Sequence, residues 1–484
     1  MKNHQKFQST AFNIIKTKGE KKQILILLLL FSFFSTYAQN VQSLALKEID
    51  LKKIAYLSDS VAKAIIGKQE VPGMSIAIAQ YGKIVFRKTY GQSDVEMNIA
   101  VDVKTVFWLA SVSKQFTAAT IMRLIEQGKV SLNDPVTKYL PDYPTQGNIV
   151  TIHHLLNHTS GMKDYVLKNE VLPGWYSLQL PYQKMMELWA NRPFDNKPGE
   201  TFDYNNWGYY LLGQIIEKVT GVSWANYGEP ELLKPLGLNK TLFAHQQRIV
   251  PGRAKGYLHQ KDSLINVPYR NVETFSAGGG LSSTIDDIIQ WTHLLHSGKV
   301  VSAATLNKMT TPTLLNNGKT EGYGYGLYVN ELHGHRKIYH GGTFGFGTFV
   351  SHYPEEGITI AILSNSTKGR ERAEQLEEIL ATAALNIKIK DLILSAADIE
   401  LYSGVYTYQS TPTKVSELKV IGESGRLMAQ FGNNKPFHLR SQGNHKFIPV
   451  TKGITNINFE IKKKKAVGLT IHEGAWEITK GTRK

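Results

Sequence analysis

The stretch WLASVSKQFT, residues 108–117, opens a helical segment around which the rest of the chain can be interpreted. From Ser111 to Gln127 apolar residues recur near helical spacing, and Gly128 stands where such a helix would end. Ser111 and Lys114 are three residues apart, so they share one face of the helix and can exchange a proton. We expect burial beside the positive end of the helix to lower the pKa of Lys114 and make it a base. A lysine that lies along the surface is the alternative.

The same spacing of serine and lysine occurs four times in the chain, so the tetrapeptide alone does not identify a nucleophile. The four serines are Ser60, Ser111, Ser160 and Ser416. Ser111 differs because it stands at the start of a mostly apolar helix, where free N–H groups and the helix dipole stabilise an anionic oxygen. The sequence context therefore favours Ser111.

A second motif, Tyr204-Asn205-Asn206, lies in NKPGETFDYNNWGYYLLG just before another predicted helix. A phenol beside an ammonium group can relay a proton, and an amide can orient the lysine or bind a substrate amide. Tyr-x-Asn recurs at Tyr269 and Tyr328. For any single tyrosine the alternative is a packed aromatic ring with a satisfied hydroxyl.

A third motif, His340-Gly341-Gly342-Thr343, lies in the strand-like stretch KIYHGGTFGFGTFV. Paired glycines let a substrate backbone approach closely, and an imidazole placed there would face a cleft. His-x-Gly recurs at His296 and His472, and a structural histidine is the alternative.

Ser-x-x-Lys, Tyr-x-Asn and His-x-Gly in this order resemble the serine β-lactamase and penicillin-binding superfamily. The Tyr-x-Asn form is similar to class C β-lactamases and to their D,D-carboxypeptidase, esterase and D-aminopeptidase relatives. Sequence similar to that of this superfamily extends over about Val71 to Leu363 and includes VTIHHLLNHTSGM, KPGETFDYNN and AGGGLSSTIDDIIQW. The tail, opened by Tyr402-Ser403-Gly404-Val405-Tyr406, resembles the lipocalin-like domain that some relatives carry.

The resemblance implies catalysis through an acyl-enzyme, with Ser111 as the acylated nucleophile. The site residues it implies are Ser111, Lys114 and Tyr204 for catalysis, and Asn206, His340, Gly342 and Thr343 for substrate and oxyanion binding. The oxyanion would lie between the N–H groups of Ser111 and Thr343. Which of Lys114 and Tyr204 takes the first proton stays open, because two coupled bases titrate as a pair.

His340 departs from the family pattern, since β-lactamases of this kind usually carry a lysine there that helps hold the substrate carboxylate. A histidine is neutral or only partly charged at pH 7, so the grip on a penicillin or D-Ala carboxylate should weaken. We therefore predict a peptidase or esterase for small peptides, including D-amino-acid or peptidoglycan-derived ones, or for esters. The alternatives are a class C-type β-lactamase or D,D-carboxypeptidase, and a non-catalytic peptidoglycan-binding protein.

The chain has 484 residues, a formal charge of +16 and no cysteine. The absence of cysteine excludes thiolate zinc sites, iron–sulfur clusters and disulfides. His153, His154 and His158 form no recognised metal motif, so we predict no metal and no cofactor. The basic run Lys462 to Lys465 is expected to be a solvated turn between strands. We accordingly predict a small-molecule or peptide substrate, no nucleic-acid binding and no stable protein partner.

Residues 1–38 have the pattern of an export signal, with a basic start, an apolar stretch from Ile24 to Phe34 and Thr36-Tyr37-Ala38 as the cleavage site. We expect the mature chain to be exported, periplasmic or secreted, and an uncleaved N-terminal anchor is the alternative.

The fold class predicted is α+β, with a β-lactamase/transpeptidase-like antiparallel sheet flanked by helices and a small C-terminal antiparallel β-barrel. The hairpin pattern VPGMSIAIAQYGKIVFRKTYG, residues 71–91, begins the sheet, and strand character returns near residues 323–329, 348–353 and 357–363. The predicted domains are the hydrolase, residues 39–390, with a helical insertion over about 106–275, and the barrel, residues 398–484, with seven or eight short strands.

Overall fold

The computed structural model describes residues 48–164, 177–178, 180–243, 247–260, 263–268, 271, 276–411, 414–450, 456–473 and 476–484. The predicted export signal, residues 1–38, lies outside the described residues, as does Tyr269. The described helices and strands all belong to the unit Ile49–Lys484. Within the described ranges, no helix has both the length and the apolar character needed to cross a membrane.

Helices and strands are interspersed along the body of the protein, and the strands of a barrel follow at the C-terminus. The α-helices are α1 (Leu51–Gly67), α2 (Lys114–Glu126), α3 (Ile152–Leu156), α4 (Tyr182–Trp189), α5 (Asn206–Thr220), α6 (Trp224–Gly228), α7 (Ser276–Gly279), α8 (Ile285–His296), α9 (Ala303–Met309), α10 (Gly369–Ala384) and α11 (Ala396–Tyr402). The described residues also form 3₁₀ turns at Ala110–Ser113, Val136–Lys138 and Lys234–Leu236 and a π-helical turn at Glu229–Leu233. The strands of the body are β1 (Gly73–Gln80), β2 (Lys83–Asp94), β3 (Ile99–Ala100), β4 (Phe107–Trp108), β5 (Leu242–Phe243), β6 (Tyr257–Gln260), β7 (Ser263–Asn266), β8 (Leu281–Ser283), β9 (Thr313–Leu314), β10 (Thr320–Glu321), β11 (Tyr328–Leu332), β12 (His335–Thr343), β13 (Gly347–Tyr353) and β14 (Ile358–Ser364). The strands of the C-terminal barrel are β15 (Gly404–Thr411), β16 (Lys414–Glu423), β17 (Arg426–Phe431), β18 (Phe437–Gly443), β19 (Lys446–Pro449), β20 (Asn456–Lys462), β21 (Lys465–Glu473) and β22 (Trp476–Arg483).

An antiparallel sheet in the order β11-β12-β13-β14-β1-β2-β3 organises the described part of the body. The predicted hairpin forms as β1 and β2, and its turn residues Tyr81 and Gly82 have φ of 48° and 80°. Two successive positive φ angles are typical of the tight turns that match strand twist. Every residue of the central strands β1 and β14 is buried, because both faces of the sheet are covered.

Each face of the sheet packs against different helices. Ile76 and Ile78 of β1 face a core formed with α1 and α10, whereas Ala77 and Ala79 face the core that contains α2 and α8. On the α10 side, the buried carboxylate of Glu377 accepts hydrogen bonds from Lys337, Ser351 and Tyr353 at 2.5, 2.6 and 2.7 Å. This satisfied polar cluster ties β12 and β13 to α10 and so holds the strand on which His340 lies.

The strand expected over residues 323–329 begins only at Tyr328, so that prediction was wrong for Tyr323 to Leu327. The physical reason is a close approach between two backbones. A Cβ on Gly324 would lie 2.0 Å from the carbonyl oxygen of Met309, and Gly326 has a φ of +72°. The segment therefore packs against another part of the chain and does not pair along the sheet.

The tail forms a closed antiparallel barrel whose strands run in the order β15 to β22. Its interior is filled by a separate apolar cluster that includes Tyr406, Leu418 and Leu469. The short helix α11 before the barrel was not predicted, and its N-cap is Ser395. The basic run predicted to be a turn is one: Lys463 and Lys464 join β20 to β21, both exposed and with positive φ.

Candidate active site

Ser111 lies in the 3₁₀ turn that precedes α2, and its side chain is partly exposed. The residue before it, Ala110, has a φ of +47°, which is strained for a residue with a Cβ. Two hydrogen bonds hold the turn: the Leu109 N–H donates to the Leu281 carbonyl at 2.9 Å, and the Thr348 hydroxyl donates to the Leu109 carbonyl at 2.9 Å. The turn thus presents Ser111 from a rigid frame.

Lys114 is fully buried one turn further on. Its Nζ lies 3.5 Å from Ser111 Oγ, 2.7 Å from Asn206 Oδ1 and 2.8 Å from the Gly278 carbonyl oxygen. Burial lowers the pKa of Lys114 to about 7, and the negative charge of Asp164 opposes that effect. A large fraction of Lys114 is therefore a neutral amine near pH 7, within reach of the Ser111 proton.

Tyr204 covers the other side of Lys114, with its ring centre 4.8 Å from Nζ. The hydroxyl is buried, and no described residue meets the distance and angle of a hydrogen bond to it. It still lies near enough to the Ser111 hydroxyl for that group to lower the pKa of Tyr204, although burial raises this pKa well above its ordinary value. The side chain consequently remains a phenol at neutral pH and can pass on a proton without holding a charge.

His340 is buried on β12, and its hydrogen bonds define its tautomer. Nδ1 lies 2.8 Å from the Gly341 carbonyl oxygen, which can only accept, so Nδ1 carries the proton. Nε2 then accepts from the Tyr323 hydroxyl at 3.2 Å. Burial and the nearby Lys114 hold the pKa of His340 well below its usual range, so the imidazole is neutral and both nitrogens are engaged.

Gly342 brings the end of β12 directly against the nucleophile turn. A Cβ at this position would lie 2.3 Å from the Leu109 carbonyl oxygen and 3.0 Å from the Ser111 nitrogen, so a side chain has no room there. Thr343 follows at the exposed rim, where its hydroxyl lies 3.4 Å from the Thr367 carbonyl oxygen. The structure thus brings the other six predicted site residues together around Ser111.

Three further residues belong to the site that the motifs did not single out: Asp164, His158 and Tyr323. Asp164 contacts Asn206, His158 packs 4.4 Å from the Tyr204 ring centre, and Tyr323 bonds His340. His158 lies within the stretch VTIHHLLNHTSGM, and Asp164 lies two residues after it. The resemblance of that stretch to the family is the sequence signal that could have indicated these two residues.

The remaining histidines of that stretch have structural roles. His153 Nδ1 lies 2.8 Å from the Tyr325 hydroxyl, and His154 takes part in the capping box at Thr151 that begins α3. Among the residues that the structure describes, no group of three or more His, Asp or Glu side chains is placed to hold a metal ion.

An antiparallel sheet flanked by helices, with a buried lysine between a serine and a Tyr-x-Asn loop, defines a serine hydrolase of the β-lactamase type. Residues 58–384 match the family model described as Beta-lactamase, and the chain belongs to the β-lactamase family.

Individual relatives are similar to this chain in sequence or in structure. Over 340 residues the chain is 31% identical to penicillin-binding protein 4* of Bacillus subtilis (strain 168), a match that covers 66% of this chain and 73% of that protein. The octameric penicillin-binding protein homologue from Pyrococcus abyssi superposes with a TM-score of 0.59 at 26% identity, over 90% of this chain and 100% of that one. The D-amino acid amidase from Ochrobactrum anthropi SV3 superposes with a TM-score of 0.61 at 20% identity, over 69% and 100%, which is a likeness of fold.

Proposed function

We propose that this protein hydrolyses small peptides or esters through an acyl-enzyme formed on Ser111. The observation that carries the proposal is the placement of Lys114, a fully buried amine 3.5 Å from Ser111 Oγ whose pKa is lowered to about 7. A lysine lying along the surface would have neither property, so the structure speaks against that alternative.

The proposed reaction begins when neutral Lys114 accepts the Ser111 hydroxyl proton while Oγ attacks the substrate carbonyl carbon. The N–H groups of Ser111 and Thr343 would stabilise the oxyanion of the tetrahedral intermediate. As the intermediate collapses, the C–N or C–O bond breaks and the leaving group takes up the proton, relayed from Lys114 through the Tyr204 phenol. Water then attacks the carbonyl carbon of the ester on Ser111, and its proton passes through Tyr204 to Lys114. The bond between that carbon and Oγ breaks, Oγ takes the proton back from Lys114, and the acid leaves.

The state of His340 favours a peptidase or esterase over an efficient β-lactamase. A neutral imidazole with both nitrogens bonded within the protein offers no cation to a penicillin carboxylate. Gly341, the next residue, offers no hydroxyl. We therefore infer that the leaving-group side of the preferred substrate needs no carboxylate at this point, as in amides of D-amino acids and simple esters.

Intact mass spectrometry tests the proposal directly. The wild-type protein is incubated with a fluorophosphonate, with penicillin and with p-nitrophenyl esters, beside Ser111→Ala. We expect a fluorophosphonate adduct and ester turnover in the wild type and neither in Ser111→Ala. Ser60→Ala is the matched control, since Ser60 also begins a Ser-x-x-Lys sequence but lies exposed on α1, and it should behave as the wild type.

An adduct that survives in Ser111→Ala would refute the assignment of the nucleophile. Binding of peptidoglycan fragments without an adduct or turnover on any substrate would instead identify a binding protein. Rapid, Ser111-dependent hydrolysis of penicillin would restore the β-lactamase alternative.

The pH dependence of kcat/KM should reflect Lys114. Because the amine must be neutral to accept the Ser111 proton and its pKa is lowered to about 7, kcat/KM should fall as the pH drops below about 7. Initial rates on a non-ionising ester between pH 5 and 9 measure this fall, which is the acidic limb of the pH profile. A plateau that extends unchanged down to pH 5 would contradict the role of Lys114 as the base.

A further inference from the structure

We propose that Asp164 is a positioning residue of this active site, which orients the Asn206 amide and thereby the amine of Lys114. The inference rests on the proposed function for its kinetic consequences. The carboxylate accepts from the Asn206 backbone N–H at 2.9 Å, from Asn206 Nδ2 at 2.9 Å and from the Trp207 N–H at 3.0 Å.

The hydrogen bond from Asn206 Nδ2 leaves the Asn206 amide a single orientation. A carboxylate has no proton to donate, so Asn206 must turn its NH₂ group toward Asp164. Its Oδ1 then faces the other way and accepts from Lys114 Nζ at 2.7 Å. Reversed, the amide would present donors to Lys114 and an acceptor to a carboxylate, and both contacts would be lost.

The backbone contacts of Asp164 also hold the start of α5. Its Oδ1 takes the first two N–H groups of that helix, and Asn205 Oδ1 takes the third, from Gly208, at 2.7 Å. His158, six residues before Asp164, accepts two hydrogen bonds from the backbone on either side of Tyr204. The Asp203 N–H donates to the His158 carbonyl oxygen at 2.9 Å, and the Asn205 N–H donates to His158 Nδ1 at 3.0 Å. Hydrogen bonds to the segment 158–164 thus fix the positions of Tyr204 and Asn206.

Asp164 acts on Lys114 through its charge as well. The other titratable groups that face Lys114 are the phenols of Tyr204 and Tyr209 and the buried imidazoles of His158 and His340. All four are neutral at pH 7, since burial raises the pKa of both phenols and lowers the pKa of both imidazoles. The carboxylate opposes the effect of burial, so its removal should lower the pKa of Lys114 further.

Asp164→Asn is the informative variant, because it keeps the size and one acceptor but places an NH₂ group against that of Asn206. We expect kcat/KM for ester hydrolysis to fall by about tenfold to a hundredfold, since the amine is misplaced. The acidic limb of its pH profile should move to lower pH. Asp164→Glu keeps the charge and should leave the limb near its wild-type position. Ser302→Ala, which removes the side-chain cap of helix α9, is the matched control and should change neither kcat/KM nor the acidic limb.

A second measurement separates this inference from the proposed function, because it requires no turnover. NMR titration of ¹³C-labelled lysine, with the Lys114 signal assigned by its loss in Lys114→Met, should show a lower pKa in Asp164→Asn than in the wild type. An unchanged Lys114 pKa would overturn the role of Asp164 even if Ser111 is acylated. A lowered pKa would support it even if no substrate is turned over.

Discussion

Replacing Lys114 with methionine should reduce acylation of Ser111 by about a thousandfold or more, which is the contribution expected of a positioned general base. Methionine has similar length, so the cavity stays filled, but it has no lone pair basic enough to take the serine proton. Lys114→Arg should fail as completely, because a guanidinium keeps its proton at any pH used for assay. The rate of fluorophosphonate labelling, followed by intact mass, measures the effect.

Lys63→Met is the control for this experiment. Lys63 is the lysine of the Ser60-x-x-Lys sequence, and its side chain is 70% exposed beside Asp59, so its removal should leave the labelling rate unchanged. Thermal unfolding of each variant shows whether it is folded. Labelling of folded Lys114→Met within tenfold of the wild type would mean that another group takes the proton.

Gly342→Ala should abolish most activity for a steric reason. Its Cβ would lie 2.3 Å from the Leu109 carbonyl oxygen, 2.7 Å from Thr348 Oγ1 and 3.0 Å from the Ser111 nitrogen. The first and last of these are backbone atoms of the nucleophile segment, so the strand or that segment must move. A displacement near 1 Å at a reacting group costs about a hundredfold in rate, and overpacking of this kind costs about 1–3 kcal/mol of stability.

Gly341→Ala is the matched comparison, one residue away on the same strand. Its Cβ would meet Arg370 at 2.4 Å from Nε, and the guanidinium is the far end of a flexible, partly exposed side chain that can swing aside. We expect a much smaller loss of kcat/KM and of melting temperature than in Gly342→Ala. Equal losses in the two variants would show that the close approach to Ser111 does not limit the site.

The central hairpin and the motif residues could be predicted because their information is local. Alternating apolar residues around Tyr81-Gly82 specify two strands and a turn within 21 residues, and β1 and β2 form as expected. The pairing of Ser111 with Lys114 depends on one helical turn. Both predictions needed only the periodicity of a single element.

The features that were predicted wrongly or not at all depend on contacts between distant segments. The strand predicted to begin at Tyr323 is absent there because the segment lies against the carbonyl of Met309. The residues around Tyr323 carry no pattern that predicts this contact. Asp164 was overlooked because its partners, Asn206 and Trp207, lie more than 40 residues away along the chain. Such contacts are decided by how distant segments pack, which residue spacing does not encode.

The sequence by itself determined the family, the α+β sheet with its C-terminal barrel, and the residue types that meet at the site, because motif order and apolar periodicity carry that information. Only the tertiary structure decided their chemical states. Lys114 has a lowered pKa because packing removes water from its amine. His340 is neutral because burial and the nearby Lys114 lower its pKa, and the Gly341 carbonyl and Tyr323 decide which of its nitrogens carries the proton. Protonation and tautomer depend on desolvation and on hydrogen-bond partners drawn from distant segments, and these exist only once the chain has folded.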